Sequence, residues 1–73
     1  MNGSQNIADL EVYMHALNEC RRLWFLKRGY NPDLMNTPEV IVYGKSHFLQ
    51  WRNQLGNVIA KFEVTGPKVR LVA

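Results

Sequence analysis

The segment EVIVYGKSHFLQW, residues 39–51, decides how many strands this chain forms. Residues 40–43 are β-branched or aromatic and contain no breaker, so they predict a strand. The sequence Gly-Lys-Ser at residues 44–46 follows, as it does at the end of a nucleotide-binding phosphate loop. Such a loop needs a first glycine five residues before the Gly-Lys pair, and Glu39 holds that position. We therefore interpret the glycine as the end of the strand and the serine as the cap of the next element.

Residues 46–55 fit either a helix or a strand. A helix would carry its large apolar side chains on one face: Phe48, Trp51 and Leu55. A strand would run from residue 47 to residue 51 and pair back on the preceding strand across the Gly-Lys turn. We favour the helix, because glutamine and arginine at positions 50, 52 and 54 are better helix residues than strand residues.

Residues 7–28 predict a long N-terminal helix. Its apolar side chains recur at steps of three and four, which keeps them on one face: Leu10, Tyr13, Leu17, Cys20 and Trp24. Asn6 is the expected N-cap, and Gly29 can take the left-handed conformation that ends a helix. More large apolar residues flank Trp24, so the apolar face is wide. Such a helix is either enclosed by its own core or partly covered by another chain.

The C-terminal part of the chain predicts a β-hairpin. Residues 57–64 alternate between apolar and polar side chains, residues 65–67 form a turn, and residues 68–71 alternate again. Residues 1–5 are small and polar and are expected to fray. Residues 30–38 contain two prolines and predict a loop.

These elements predict an α+β fold in a single small domain of 73 residues. A long N-terminal helix packs on a small, mostly antiparallel three-stranded sheet, with a short helix between strands 1 and 2. The expected core draws on every element: Leu10, Leu17, Cys20, Trp24, Val40, Val42, Phe48, Trp51, Val58, Phe62, Val69 and Leu71. A chain of this length buries only about 60% of its unfolded surface, so a partner or self-association would help to stabilise it.

Chemically reactive residues are sparse. Cys20 is the single cysteine, so no disulfide can form within the chain, and with His15 and His47 it provides too few ligands for a zinc site. Cys20 and His15 lie roughly 140° apart around the helix and so diverge. The carboxylates are scattered and form no acid–base pair. We therefore expect no enzymatic activity, no metal and no cofactor.

The N-terminus has neither the basic start nor the apolar run of a signal peptide. No stretch approaches the ~20 apolar residues of a membrane span. These features predict a soluble, cytoplasmic protein that does not bind membranes.

The net charge of +3 favours acidic partners mildly. The candidate partner-binding residues combine basic and aromatic side chains at and after the end of the helix: Arg21, Arg22, Trp24, Lys27, Arg28 and Tyr30. These residue types are enriched at protein interfaces, so we predict that they contact an acidic patch on a protein, with Trp24 or Tyr30 as the apolar anchor. The alternative is a module that binds single-stranded nucleic acid through basic and aromatic residues. A homodimer joined through the helix also remains open.

The helix with its basic tail, DLEVYMHALNECRRLWFLKRGY at residues 9–30, and the aromatic hairpin belong to a small, basic, cysteine-poor chain. This profile resembles the host-takeover proteins of bacteriophages, in particular the small RNA-polymerase-binding transcription regulators known from a Xanthomonas phage. The resemblance implies a protein that binds a large host partner, the β′ subunit of RNA polymerase. It also implies inhibition of initiation and promotion of antitermination in the cytoplasm of the host bacterium.

Overall fold

The computed structural model describes residues 10–29 and 32–72. Helix α1 spans Leu10–Arg28 and confirms the predicted N-terminal helix over these residues. Gly29 follows with a φ of 79°, the left-handed conformation expected at the end of a helix. No helix in these two ranges is both long and apolar enough to cross a membrane.

Some predictions fall on residues outside the described ranges. They are the N-cap Asn6, the first helical residues 7–9, the frayed residues 1–5 and the partner-binding Tyr30.

A four-stranded antiparallel sheet follows the helix, with the strands arranged in sequence order. Its strands are β1 Glu39–Tyr43, β2 Ser46–Arg52, β3 Val58–Thr65 and β4 Lys68–Leu71. The α+β class and the C-terminal hairpin are therefore confirmed. The prediction of three strands with a short helix between strands 1 and 2 is wrong, because residues 46–52 form a strand.

Side-chain contacts explain why β2 is a strand despite its helix-favouring residues. Leu49 and Trp51 alternate onto the buried face of the sheet. On the opposite face, Gln50 Nε2 donates to Glu39 Oε1 at 2.8 Å, and Arg52 Nε donates to the same oxygen at 2.7 Å. The polar side chains that favour a helix in isolation therefore bind across to β1. Tertiary contacts outweigh a propensity difference of a few tenths of a kcal/mol per residue.

Two-residue loops join β1 to β2 and β3 to β4. Gly44 has a φ of 62° and Gly66 a φ of 59°, while the residues after them, Lys45 and Pro67, have negative φ. A positive φ at the first loop residue alone defines a type II′ turn, whose twist matches that of the flanking strands. The Gly-Lys-Ser sequence is thus the tip of a hairpin. The prediction that Ser46 caps a helix is wrong, because Ser46 is the first residue of β2.

The core lies between α1 and one face of the sheet. Its buried residues come from the helix, the connection and the two central strands: Ala16, Leu17, Cys20, Trp24, Leu34, Leu49, Trp51, Ala60, Phe62 and Val64. Three aromatic rings stack edge to face at its centre, with Phe62 lying 6.2 Å from Trp24 and 5.8 Å from Trp51 between centroids. Edge-to-face aromatic pairs stabilise a fold by more than the burial of their surface alone would.

The helix does not cover the whole sheet, and this alters the predicted core. The backbone of α1 approaches β4 most closely, at the far side of the sheet from β1. Val40 and Val42 share their face of the sheet with the core residues but stay exposed, so their predicted burial is wrong. Leu10, in the first helical turn, and Val58, at the start of β3, are also exposed rather than buried.

The connection between α1 and β1 contributes to the core, although its sequence predicted only a loop. Residues Pro32–Met35 form a short 3-10 helix. Within it, Leu34 is fully buried, and Pro38 is buried just before β1. The indole Nε1 of Trp51 donates to Asn36 O at 2.8 Å, which holds this connection against β2.

Candidate partner-binding surface

Arg21 is bound to the protein's own backbone. Its Nε donates to Leu34 O at 2.9 Å, and its Nη2 lies 3.4 Å from Met35 O. Both acceptors are carbonyl oxygens at the end of the 3-10 helix, where unpaired carbonyls collect. Arg21 therefore holds the connection against α1, and its Nε and Nη2 are used within the fold.

Arg22 lies about 100° further round α1 than Arg21 and pairs with Glu19. Its Nη2 and Nε donate to the two carboxylate oxygens at 2.8 and 3.1 Å. The hydrogen bonds from Arg22 hold the pKa of Glu19 below its usual value. Because both side chains are on the surface, the pair contributes little to folding and can exchange its partner for another acid.

Trp24 lies in the core and not on the surface. Its ring packs edge to face on Phe62, and the Arg28 guanidinium lies 5.3 Å from the ring centroid. Its Nε1 is buried and has no hydrogen-bond partner among the described residues. Arg28 covers the solvent side of the indole as a cation–π contact. An apolar anchor at this end of the helix must therefore come from another side chain.

Phe25 and Leu26 supply exposed apolar surface at the end of α1, where the sequence predicted Trp24 or Tyr30 as the anchor. Phe25 is 61% exposed and Leu26 is 69% exposed. On a helix, residues three or four positions apart are neighbours, so both lie beside Arg22, and Phe25 also lies beside Arg28. We call Arg22, Phe25, Leu26 and Arg28 the helix patch. The exposure of Phe25 and Leu26 could be read from the sequence. They follow Trp24 by one and two residues, so helix geometry turns them away from the buried face.

The outer face of the sheet is a second basic and aromatic surface. Tyr43 and Phe48 lie with their ring centroids 6.4 Å apart, and Lys61 Nζ lies 4.9 Å from the centroid of Phe48. The arginines of this face already bind carboxylates, Arg52 to Glu39 and Arg70 to Glu63. Much of its positive charge is therefore neutralised within the molecule.

Cys20 is completely buried, and burial raises the pKa of its thiol to about 12. Since the thiolate is the reactive form, this cysteine is a poor nucleophile. In the part of the chain that the structure describes, no three His, Cys, Asp or Glu side chains come together to hold a metal ion.

The chain matches no model of a known protein family, no curated protein and no solved structure.

Proposed function

We propose that this protein is a non-enzymatic regulator that binds a large protein partner through the helix patch. On the resemblance to phage host-takeover proteins, the partner is host RNA polymerase, with the β′ subunit the first candidate. Binding alters transcription initiation or termination in the bacterial cytoplasm. The observation that carries the proposal is the exposure of Phe25 and Leu26 between Arg22 and Arg28.

The composition of the helix patch suits a protein interface. Burying a Phe or Leu side chain on binding contributes ~1.5–3 kcal/mol, before the costs of association. The flanking arginines lie at the rim, where charge mainly raises the association rate and makes it dependent on salt. In the proposed complex, Phe25 and Leu26 are the apolar anchors. Arg22 and Arg28 attract an acidic surface of the partner.

The first experiment measures binding of the full chain to purified RNA polymerase. Replacing Phe25 and Leu26 together with Ala should speed dissociation and weaken binding at least tenfold. Leu55→Ala is the matched control, because Leu55 is an exposed leucine in the β2–β3 loop, outside the helix patch. If the double variant and the control both bind as the parent does, the helix patch is not the interface.

The second experiment reverses charge. Arg22→Glu with Arg28→Glu should slow association with the polymerase and flatten its dependence on salt. Circular dichroism checks that the variant keeps its fold, since Arg28 also covers Trp24. Unchanged kinetics in a folded variant would show that these arginines are ordinary solvated charges. Initiation and termination assays on a purified template then test the effect on transcription.

Single-stranded nucleic acid binding is the second candidate function, because Tyr43 is 75% exposed beside Phe48 and Lys61 on the outer sheet face. Such aromatic rings can stack on bases, while lysines contact phosphates. Both Arg52 and Arg70 are paired within the molecule, whereas in the helix patch only Arg22 pairs with a described carboxylate, so we rank this function below the first. A labelled oligonucleotide that binds the parent in a salt-dependent way, and loses most of its affinity on Tyr43→Ala, would favour it.

A further inference from the structure

Strand β1 is an edge strand with unusually apolar exposed surface. Within residues 10–29 and 32–72 it pairs only with β2, so its other side is a free edge. All five of its residues are exposed, and four are large and apolar: Val40, Ile41, Val42 and Tyr43. Val42 is 66% exposed and Tyr43 is 75% exposed. An apolar free edge is a template for pairing with another strand.

The opposite edge of the same sheet is protected, which makes the contrast informative. Strand β4 alternates the exposed Lys68 and Arg70 with the half-buried Val69 and Leu71, and α1 packs beside it. Charged side chains and covering elements are the usual protection of an edge. On β1 the single charge is Glu39 at its first residue, which already binds Gln50 and Arg52. The pairing of β1 with β2 is also free of a bulge.

The hairpin geometry fixes which backbone groups of β1 are free. A two-residue loop closes on a hydrogen-bonded pair, here Tyr43 with Ser46. Hydrogen-bonded and non-hydrogen-bonded pairs alternate along an antiparallel ladder, so Ile41 and Glu39 also direct their backbone groups toward β2. The N–H and C=O groups of Val40 and Val42 therefore point to the free edge.

This pattern is complementary to itself. When two copies of β1 run antiparallel about a two-fold axis at Ile41, Val40 of each copy lies opposite Val42 of the other. These are the outward-directed residues, so all four free backbone groups of each copy find partners. A register shifted by two residues in one direction would bring in Pro38, which has no N–H, and in the other direction Gly44 of the turn. The central register is therefore the best satisfied.

The side chains fit the same arrangement. The valines pair across the axis on the helix side of the sheet, and the two Ile41 side chains meet on the outer side. Glu39 of one copy lies opposite Tyr43 of the other, so no like charges face each other. Each copy covers the same apolar strip of its partner, as a two-fold interface requires.

We propose that this protein forms a homodimer by antiparallel pairing of β1 with β1, which joins the two sheets into one of eight strands. The interface shares no residue with the helix patch and is independent of the proposed function. A strand pair this short buries less area than the ~1,200–2,000 Å² of stable complexes, so the dimer should dissociate on the order of 10–100 μM.

Sedimentation of the full chain over this concentration range tests the proposal. The parent should pass from monomer to dimer as its concentration rises. Val42→Pro removes an outward N–H while leaving the ladder to β2 intact, and Val42→Lys adds a charge to the edge. Both should weaken dimerisation at least tenfold. Val58→Lys is the matched control, since Val58 is an exposed valine on β3, away from the free edge.

Disulfide crosslinking tests the register. Cα atoms of a non-hydrogen-bonded antiparallel pair lie about 4.5 Å apart, close enough for a disulfide. Under mild oxidation, Ile41→Cys should therefore form crosslinked dimers, and Tyr43→Cys should do so much more slowly. Equal crosslinking at both positions would overturn the register. A parent chain that stays monomeric throughout, or a Val42→Lys variant that dimerises as Val58→Lys does, would overturn the dimer and leave the edge to a strand from a different protein.

Discussion

Arg21 and Leu34 connect the helix to the segment that leads into the sheet, with Arg21 Nε donating to Leu34 O at 2.9 Å. Leu34 is at the same time fully buried in the core. The end of the 3-10 helix is therefore held in two ways, by the hydrogen bond to the Leu34 carbonyl and by the burial of the Leu34 side chain. A residue predicted as part of a binding surface is therefore a link within the fold.

Arg21→Ala should lower the free energy of unfolding by about 1–2 kcal/mol. The variant loses the hydrogen bonds from the charged guanidinium to the carbonyl oxygens of Leu34 and Met35. Arg22→Ala is the matched control on the same helix, and its surface pair with Glu19 should leave stability unchanged within measurement error. Urea denaturation of both variants makes the comparison. Equal loss of stability in the two would contradict the structural role of Arg21.

Phe62→Ala should remove most of the stability of the protein. Phe62 is fully buried and contacts both Trp24 and Trp51. Truncating a core phenylalanine costs about 3–5 kcal/mol, and a chain of 73 residues has roughly 4–11 kcal/mol in total. Thermal melts should show a partly unfolded variant at room temperature. Val42→Ala, on the same face of the sheet but exposed, should melt close to the parent; a similar drop in both would mean that the core is misplaced.

The helix and the last hairpin could be predicted from local sequence, because their periodicities have a single interpretation. The apolar residues of α1 recur at helical spacing up to the glycine at position 29, and those of β3 and β4 alternate around the turn at Gly66. For β2 the periodicity left two interpretations, and propensity selected the wrong one. The deciding contacts of Gln50 and Arg52 with Glu39 join residues more than ten positions apart.

The surfaces were harder to predict because they depend on where the helix lies. The sequence placed basic and aromatic residues at the end of α1, and the structure puts Arg22 and Arg28 on the surface there. Helical spacing already placed Trp24 on the buried face, so its second assignment, as the apolar anchor of the surface, overlooked the phase that turns Phe25 outward. Likewise, the exposure of β1 follows from the position of α1 beside β4, which no local pattern encodes.

The stability of the protein should fall in mild acid. Hydrogen bonds from Gln50 and Arg52 lower the pKa of Glu39, and those from Arg70 and Ser46 lower the pKa of Glu63. A carboxyl group whose pKa is lower in the folded state stabilises the fold at every pH above its pKa in the unfolded chain, which is 4.5 for both glutamates. This stabilisation is lost as the pH falls from 4.5 through the folded pKa.

Denaturation at a series of pH values checks this sign. The contribution of these two groups to stability should be constant above pH 4.5 and decline below it. Replacing both, as Glu39→Gln with Glu63→Gln, should make the decline shallower. The effect should be small, because both carboxylates are near solvent, and salt should reduce it further. A double variant with the same acid dependence as the parent would assign that dependence to other groups.

The β2–β3 loop depends on Asn53, whose Oδ1 accepts hydrogen bonds from Leu55 N at 2.9 Å and Asn57 N at 3.0 Å. The Asn53 backbone N–H also donates to Asn57 O at 2.9 Å, and its carbonyl accepts from Gly56 N at 3.0 Å. One residue thus closes the five-residue loop through its side chain and its backbone. This use of an asparagine oxygen is common in turns.

Asn53→Ala should destabilise the protein by roughly 1–2 kcal/mol, because two loop N–H groups lose their acceptor. Asn53→Asp keeps an acceptor oxygen in place and should recover most of this loss. Gln54→Ala, an exposed neighbour in the same loop, is the control for the loss of a polar side chain. Urea denaturation ranks the three variants. If the aspartate variant is as unstable as the alanine variant, the acceptor oxygen does not organise the loop, and the amide group must act in another way.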